Sequence, residues 1–103
     1  MIMQKYFLIG NLVKDPELRY TGDGLAYCRF TIAENDTKKD GSPMFFSIVA
    51  FGKLAEACGK YLEKGRRVHI VGEILKQEKK IEGENKTITY HKYRVKAREV
   101  KFL

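Results

Sequence analysis

Alternation of apolar and polar residues dominates the chain and predicts strands over most of its length. Residues 3–13 and 44–51 carry apolar side chains on both faces, which is typical of strands covered on both sides. Residues 25–33 have one apolar face, formed by every second side chain. Residues 67–76 and 87–103 also follow a period of two. The pattern therefore predicts five strands.

The period changes once, between the third and fourth of these strands. Apolar residues there recur at steps of three and four: Leu54, Ala55, Cys58, Tyr61 and Leu62. This spacing predicts one amphipathic helix of about ten residues, too short to be stable without packing against the strands. Gly65 follows Lys64 just past the predicted end of this helix and is a good stop signal for it.

Polar segments separate the predicted strands. Asp15-Pro16 ends the first strand, since proline cannot donate a backbone hydrogen bond. Residues 21–24 form a turn cluster, residues 35–43 a polar loop and residues 79–86 the tip of a hairpin. We detect neither repeats nor linkers, so residues 1–103 are interpreted as a single domain.

Five strands with one helix between strands 3 and 4 is the order of the OB fold, so the predicted fold class is an all-β, five-stranded OB-fold barrel. Gly10 and Gly72 fall in mid-strand, where a small barrel needs bends or close backbone contacts. The alternation also slips between Tyr90 and Tyr93 and between Ala97 and Val100, which predicts bulges.

The net charge of the chain narrows the range of binding partners to be expected. The chain has 20 Lys and Arg against 13 Asp and Glu, a net charge of +7, which favours polyanions such as nucleic acid or an anionic membrane surface. Cys28 and Cys58 are isolated and fall on apolar faces, so they are interpreted as small buried hydrophobic residues. No signal-peptide pattern or apolar run of membrane-spanning length is seen, which favours the cytoplasm.

No catalytic, cofactor or metal motif is recognised, and we predict that the protein is not an enzyme. Gly52-Lys53 and Gly59-Lys60 lack the other residues of a phosphate-binding loop. A single strand histidine such as His69 is usually structural. Asp15 beside Pro16 is interpreted as a turn residue rather than half of a carboxylate pair.

Basic and aromatic residues are interleaved on the strands, as single-stranded nucleic acid binders require: cations for phosphates and flat rings for bases. Tyr27 and Arg29 share the outward face of the second strand. Phe45 and Phe51 share a face with Ser47 and Val49, so periodicity leaves open whether the two rings stack on bases or fill the core. The basic stripe of the last strand can equally be a guard against edge-to-edge aggregation.

Several ordered motifs resemble the bacterial single-stranded DNA-binding protein family. They are residues 9–12 (IGNL), 14–21 (KDPELRYT), 30–33 (FTIA), 49–56 (VAFGKLAE) and 61–65 (YLEKG). The resemblance covers nearly the whole chain. It implies an OB-fold protein, usually a homotetramer, that wraps single-stranded DNA without sequence preference in replication, recombination and repair.

The resemblance also assigns roles. It implies that Phe45 and Phe51 stack on bases, that Phe46 lies near a subunit contact and that the first strand is a dimer-forming edge. Two departures stand out. Lys38-Lys39 and Lys79-Lys80 occupy places where the family often has aromatic residues, so binding is expected to depend more on charge. Residues 1–103 end at Lys101-Phe102-Leu103 and do not include the acidic tail that recruits other proteins in the family, whether it was removed or never existed, so tail-mediated recruitment is not predicted.

The predicted partners are single-stranded DNA and further copies of this chain, and no membrane. The expected assembly is a homotetramer, with a dimer as the alternative, and the expected location is the nucleoid in the cytoplasm. Two alternatives stay open: a restart accessory like primosomal replication protein N, and an RNA-binding OB domain. The predicted nucleic-acid-binding residues are Phe45, Phe51, Arg19, Tyr20, Arg29, Lys38, Lys39, Lys53, Lys79, Lys80, Arg94 and Lys96.

Overall fold

A computed structural model describes residues 5–34, 43–84 and 87–103, and gives only the backbone for residues 77–79, 81 and 87–92. Its elements, in chain order, are β1 (Tyr6–Leu12), β2 (Glu17–Tyr20), β3 (Ala26–Glu34), β4 (Met44–Phe51), α1 (Gly52–Tyr61), β5 (Arg67–Glu82) and β6 (Thr87–Phe102). The predicted loop at residues 35–43 falls outside the described residues except for Pro43.

Five strands close into a barrel in the order β1-β5-β6-β4-β3, and a second pairing of β1 returns to β3. β1 makes both contacts: it pairs with β5 along Tyr6–Asn11 and with β3 at Asn11 and Leu12. All neighbours in the ring are antiparallel except β4 and β6, which are parallel. The predicted five-stranded OB-fold barrel is confirmed.

A sixth strand, β2, was not predicted. It pairs only with β3, along Glu17–Tyr20, and so extends the sheet beyond the ring. Its four residues, with only Leu18 and Tyr20 on one side, are too few to establish an alternation, and its position is set by pairing with β3. Among the strands of the ring, α1 lies between the third and the fourth, as predicted.

The core lies inside the barrel and under α1. Every second residue of β3 contributes to it, including Cys28, Phe30 and Ile32, and α1 covers one end of the barrel with Ala55 and Cys58. The two cysteines are free and fully buried, as predicted. Burial raises the pKa of the Cys28 thiol to about 11, and burial together with the nearby Cys28 raises the pKa of the Cys58 thiol to about 12. The described part of the chain contains no helix long and apolar enough to cross a membrane.

The mid-strand glycines lie where two strands come close together. A Cβ atom on Gly10 would lie 2.7 Å from the carbonyl oxygen of Ala33, and one on Gly72 would overlap the carbonyl oxygen of Lys96. Beside Gly72, β6 has one residue more than β5, because Val71 lies opposite Glu99 while Gly72 lies opposite Ala97. Arg98 is the extra residue of this bulge. The slip predicted between Ala97 and Val100 is therefore confirmed.

The slip predicted between Tyr90 and Tyr93 is wrong, because the ladder between β5 and β6 runs through those residues without a shift. The predicted hairpin tip is also too long: β5 continues to Glu82, where it pairs with Thr87. β1 pairs with β5 only as far as Gly72. The outer part of the hairpin is therefore a two-stranded arm, in which polar residues on both faces hide the alternation.

The predicted turn at residues 21–24 is confirmed. The Gly24 amide donates a hydrogen bond to the Thr21 carbonyl, and the Leu25 amide donates one to the Thr21 hydroxyl. That hydroxyl also donates to the Asp23 carboxylate, which lowers the pKa of Asp23. Side-chain hydrogen bonds of this kind hold short polar turns together.

Candidate nucleic-acid interface

The side of β4 that faces away from the core presents both phenylalanines whose role the sequence left open. Phe45 is 61% exposed and Phe51 37% exposed, whereas Ile48 and Ala50, on the other side of the strand, are buried in the core. Phe51 lies six positions after Phe45 along the strand, which corresponds to about 20 Å. Their faces are thus available to several successive bases of one strand.

A sharp corner follows Phe51 directly. Gly52 has a φ of +67°, a conformation that side-chain-bearing residues rarely adopt, and α1 begins at this residue. The strand therefore ends at the ring of Phe51, and the chain turns away from the outer face before it reaches Lys53. This explains why a glycine follows the aromatic residue at this corner.

Cations lie on both sides of β4 on this outer face. Val49 is opposite Arg29 in the ladder with β3 and opposite Lys96 in the ladder with β6. The Lys96 ammonium lies 5.5 Å from the centroid of the Phe51 ring, and the Arg29 guanidinium lies 5.8 Å from that of Tyr27. Positive charges and aromatic ring faces therefore lie side by side, as is needed to bind the phosphates of a nucleic acid and to stack on its bases.

An open groove of about 420 Å³ crosses the middle of this face. It is lined by Val13, Lys14, Asp15, Glu17, Arg29, Phe30, Thr31, Ser47, Ile48 and Arg94. Two hydroxyl groups and three cations in this set can donate hydrogen bonds to phosphate oxygens. Ser47 lies between Phe45 and Phe51 along β4, so the groove is between the two rings.

Carboxylates also reach the cationic face, and sequence reasoning missed them. Glu17 lies opposite Arg29 in the β2–β3 ladder, and their charged groups are 3.6 Å apart. Glu73 of β5 binds Arg98, the bulge residue, at 2.6 Å. The only signal for the first pair was the strand register of β2, a strand that the sequence did not predict.

The structure brings together Phe45, Phe51, Arg29, Arg94 and Lys96 on one face. Arg19 belongs with them in register, since it lies opposite Tyr27 on the outer side of β3.

Tyr20 does not join this face. It lies opposite Ala26, on the same side of β2 as Leu18, which packs against the core. Its ring is nevertheless 58% exposed. Lys53 is exposed in the first turn of α1, and Lys80 is exposed on the β5–β6 arm. Three predicted residues lie outside the described side chains: Lys38, Lys39 and Lys79.

Asp15 has a structural role, but its carboxylate makes a long-range bond instead of the local turn bond that the sequence predicted. Its carboxylate accepts a hydrogen bond of 2.8 Å from the Lys64 amide and so ties the end of β1 to the segment after α1. The Asn11 side chain makes a second connection, donating to the Gly65 carbonyl at 3.0 Å. These bonds fix one wall of the groove relative to the barrel.

Comparison with known proteins agrees with this geometry. Residues 3–103 match the model of the family described as the single-strand binding protein family. The chain is 47% identical over 73 residues to a single-stranded DNA-binding protein of Clostridium perfringens, covering 70% of this chain and 49% of that protein. It is 37% identical over 109 aligned positions to the single-stranded DNA-binding protein of Neisseria meningitidis serogroup A, covering 100% of this chain and 61% of the relative.

A protein of the same name from Treponema pallidum is 38% identical over 85 residues, covering 78% of this chain and 48% of that protein. The chain thus spans about half to three fifths of the length of these relatives. Since the family match extends over nearly every residue and the barrel has the expected strand order, the chain belongs to the single-strand binding protein family.

Proposed function

We propose that this protein binds and protects single-stranded DNA without sequence preference during replication, recombination and repair, and that it does so without catalysis. The observation that carries the proposal is the outer face of β4, where two exposed phenylalanine rings lie among Arg29, Arg94 and Lys96. The related proteins are named for binding single-stranded DNA. The DNA-binding unit is the single domain of residues 1–103, located with the DNA of the nucleoid in the cytoplasm.

The two parts of the face have different tasks. Phe45 and Phe51 supply flat apolar surfaces, which stabilise any base by stacking and do not read its edge. The cations bind phosphates, which every nucleotide carries. Neither contact depends on base identity, so the binding is independent of sequence. A duplex hides the faces of its bases in its own stack, so it can use only the cations.

Self-association is the second part of the proposal. Along residues 6–10, β1 pairs with β5 on one side, and no strand lies on its other side among the described residues. Phe7 is 67% and Ile9 43% exposed on this strand. A free edge with apolar side chains favours pairing with another chain. We propose a homotetramer, with a dimer as the alternative.

Titration of labelled oligo-dT, followed by fluorescence anisotropy at several salt concentrations, tests DNA binding. We expect micromolar or tighter affinity, a steep loss of affinity with salt and much weaker binding to duplex of equal length. Equal affinity for duplex and single strand would contradict the proposal.

Two further measurements separate the alternatives. Competition with oligo-U measures any preference for DNA over RNA, and stronger binding of oligo-U would favour an RNA-binding protein. Light scattering gives the assembly, and Phe7→Glu should lower the measured mass. A stable dimer that binds DNA only together with another protein would favour the primosomal alternative.

A further inference from the structure

Glu17 is the one acidic residue that pairs with a cation of the proposed DNA-binding groove among the described residues. We propose that Glu17 is a built-in counterion for Arg29, which a DNA phosphate must displace, and that it thereby limits affinity for single-stranded DNA. The inference rests on the proposed function, because it assigns a role within the same surface.

The pairing of β2 with β3 holds the carboxylate in place. Glu17 and Arg29 lie directly opposite each other in an antiparallel ladder, where side chains on one face are near neighbours. The preceding acidic residue, Asp15, is instead turned towards the Lys64 amide. Glu17 therefore meets Arg29 because of strand register, and both side chains line the groove together with Arg94.

The geometry of the Glu17–Arg29 ion pair allows a phosphate to replace the carboxylate. The oxygen-to-nitrogen distance of 3.6 Å is long for a charge-assisted hydrogen bond, and the two side chains are 59% and 44% exposed. Ion pairs of this kind contribute little to stability, so a phosphate can replace the carboxylate at low cost. Once displaced, however, the carboxylate remains near the incoming phosphate and repels it.

Glu17 lowers the net positive charge of the residues that line the groove. Three cations, Lys14, Arg29 and Arg94, are opposed by two carboxylates, Asp15 and Glu17, so the lining carries a net charge of +1. Neutralising Glu17 raises that charge to +2 without altering any cation. Arg29 then has no carboxylate opposite it in the ladder, and a phosphate can take that place.

The test is a double-mutant cycle with Glu17→Gln, Arg29→Gln and both together, measured with labelled oligo-dT over a series of salt concentrations. We expect Glu17→Gln to tighten binding about two- to fivefold at low salt, from the usual strength of an exposed ion pair. The slope of log affinity against log salt should become steeper by up to about 0.7, because the Glu17 charge no longer offsets the neutralisation of one phosphate by Arg29. In the Arg29→Gln background, the gain should disappear.

Glu63→Gln is the matched control, because it removes the same charge from the segment between α1 and β5, at a residue that does not line the groove. Equal tightening by Glu17→Gln and Glu63→Gln would overturn the inference, and so would an undiminished gain in the Arg29→Gln background. Unfolding temperatures of all variants show whether the substitutions affect folding. If the unchanged protein does not prefer oligo-dT to duplex, the proposed function itself fails; if it does and the cycle shows no coupling, only the role of Glu17 fails.

Discussion

Replacing Phe51 with alanine removes a stacking surface from the end of β4 and leaves the core intact. The ring is 37% exposed on the outer face, beside the Lys96 ammonium and opposite Tyr27, and Phe51 is not part of the core cluster. Stacking of a base on an aromatic side chain is worth about 1–3 kcal/mol. With one base on the ring, Phe51→Ala should weaken binding of oligo-dT by about 5- to 150-fold.

The salt dependence of binding separates the contribution of the Phe51 ring from that of the neighbouring cations. Phenylalanine neutralises no phosphate, so the slope of log affinity against log salt should be the same in Phe51→Ala as in the unchanged protein. Tyr61→Ala is the control, because Tyr61 is an aromatic residue with 56% exposure that lies on α1 instead of β4. An equal loss of affinity in the two variants, or a slope altered by Phe51→Ala, would refute the stacking role.

Three further outcomes follow from particular contacts. Lys96→Gln should make the salt slope shallower by about 0.7 because one phosphate contact is lost, and an unchanged slope in the anisotropy titration would contradict that contact. Gly72→Ala should lower the free energy of unfolding by about 1–3 kcal/mol, because its Cβ overlaps the Lys96 carbonyl oxygen; thermal unfolding should show no such loss for Gly22→Ala, whose Cβ meets open space. Because the pKa of the Cys58 thiol is raised, the unfolded chain loses this proton from about pH 9, whereas the folded chain keeps it until about pH 12. The contribution of this thiol to stability is therefore complete below pH 9 and is lost as the pH rises from about 9 to about 12. Cys58→Ala should therefore reduce the alkaline loss of stability, by about 1.4 kcal/mol per pH unit at most, and equal losses in denaturant titrations of both proteins would disprove the assignment.

Periodicity was sufficient to predict the ring of strands because each of those strands packs one face against the core. Cys28, Phe30 and Ile32 alternate with outward residues over the length of β3, and α1 shows the helical spacing of Ala55 and Cys58. The elements without such a face were missed or shortened. β2 has only four residues, and the β5–β6 arm is held together by its backbone ladder.

The candidate site was only partly predictable for a related reason. Alternation along β4 places Phe45 and Phe51 on one face but does not say which face is outside, and the family resemblance was needed to choose. Which cations flank those rings depends on contacts between strands that are distant in sequence, as when Val49 lies opposite Lys96. The pairing of Glu17 with Arg29 depends in the same way on a register that single-sequence patterns do not contain.

The parallel contact between β4 and β6 has a consequence for how the chain reaches its folded state during synthesis. β6 is the last strand of the ring in chain order, lies between β4 and β5, and meets β4 at Val95 and Lys96. Strands made earlier can form hairpins as they leave the ribosome, but the barrel cannot close before this segment emerges. Until then Ile48, which lies beside Val95, has no neighbouring strand on that side. The nascent chain therefore exposes part of its future interior until β6 has been made, and chaperones can bind it during that time.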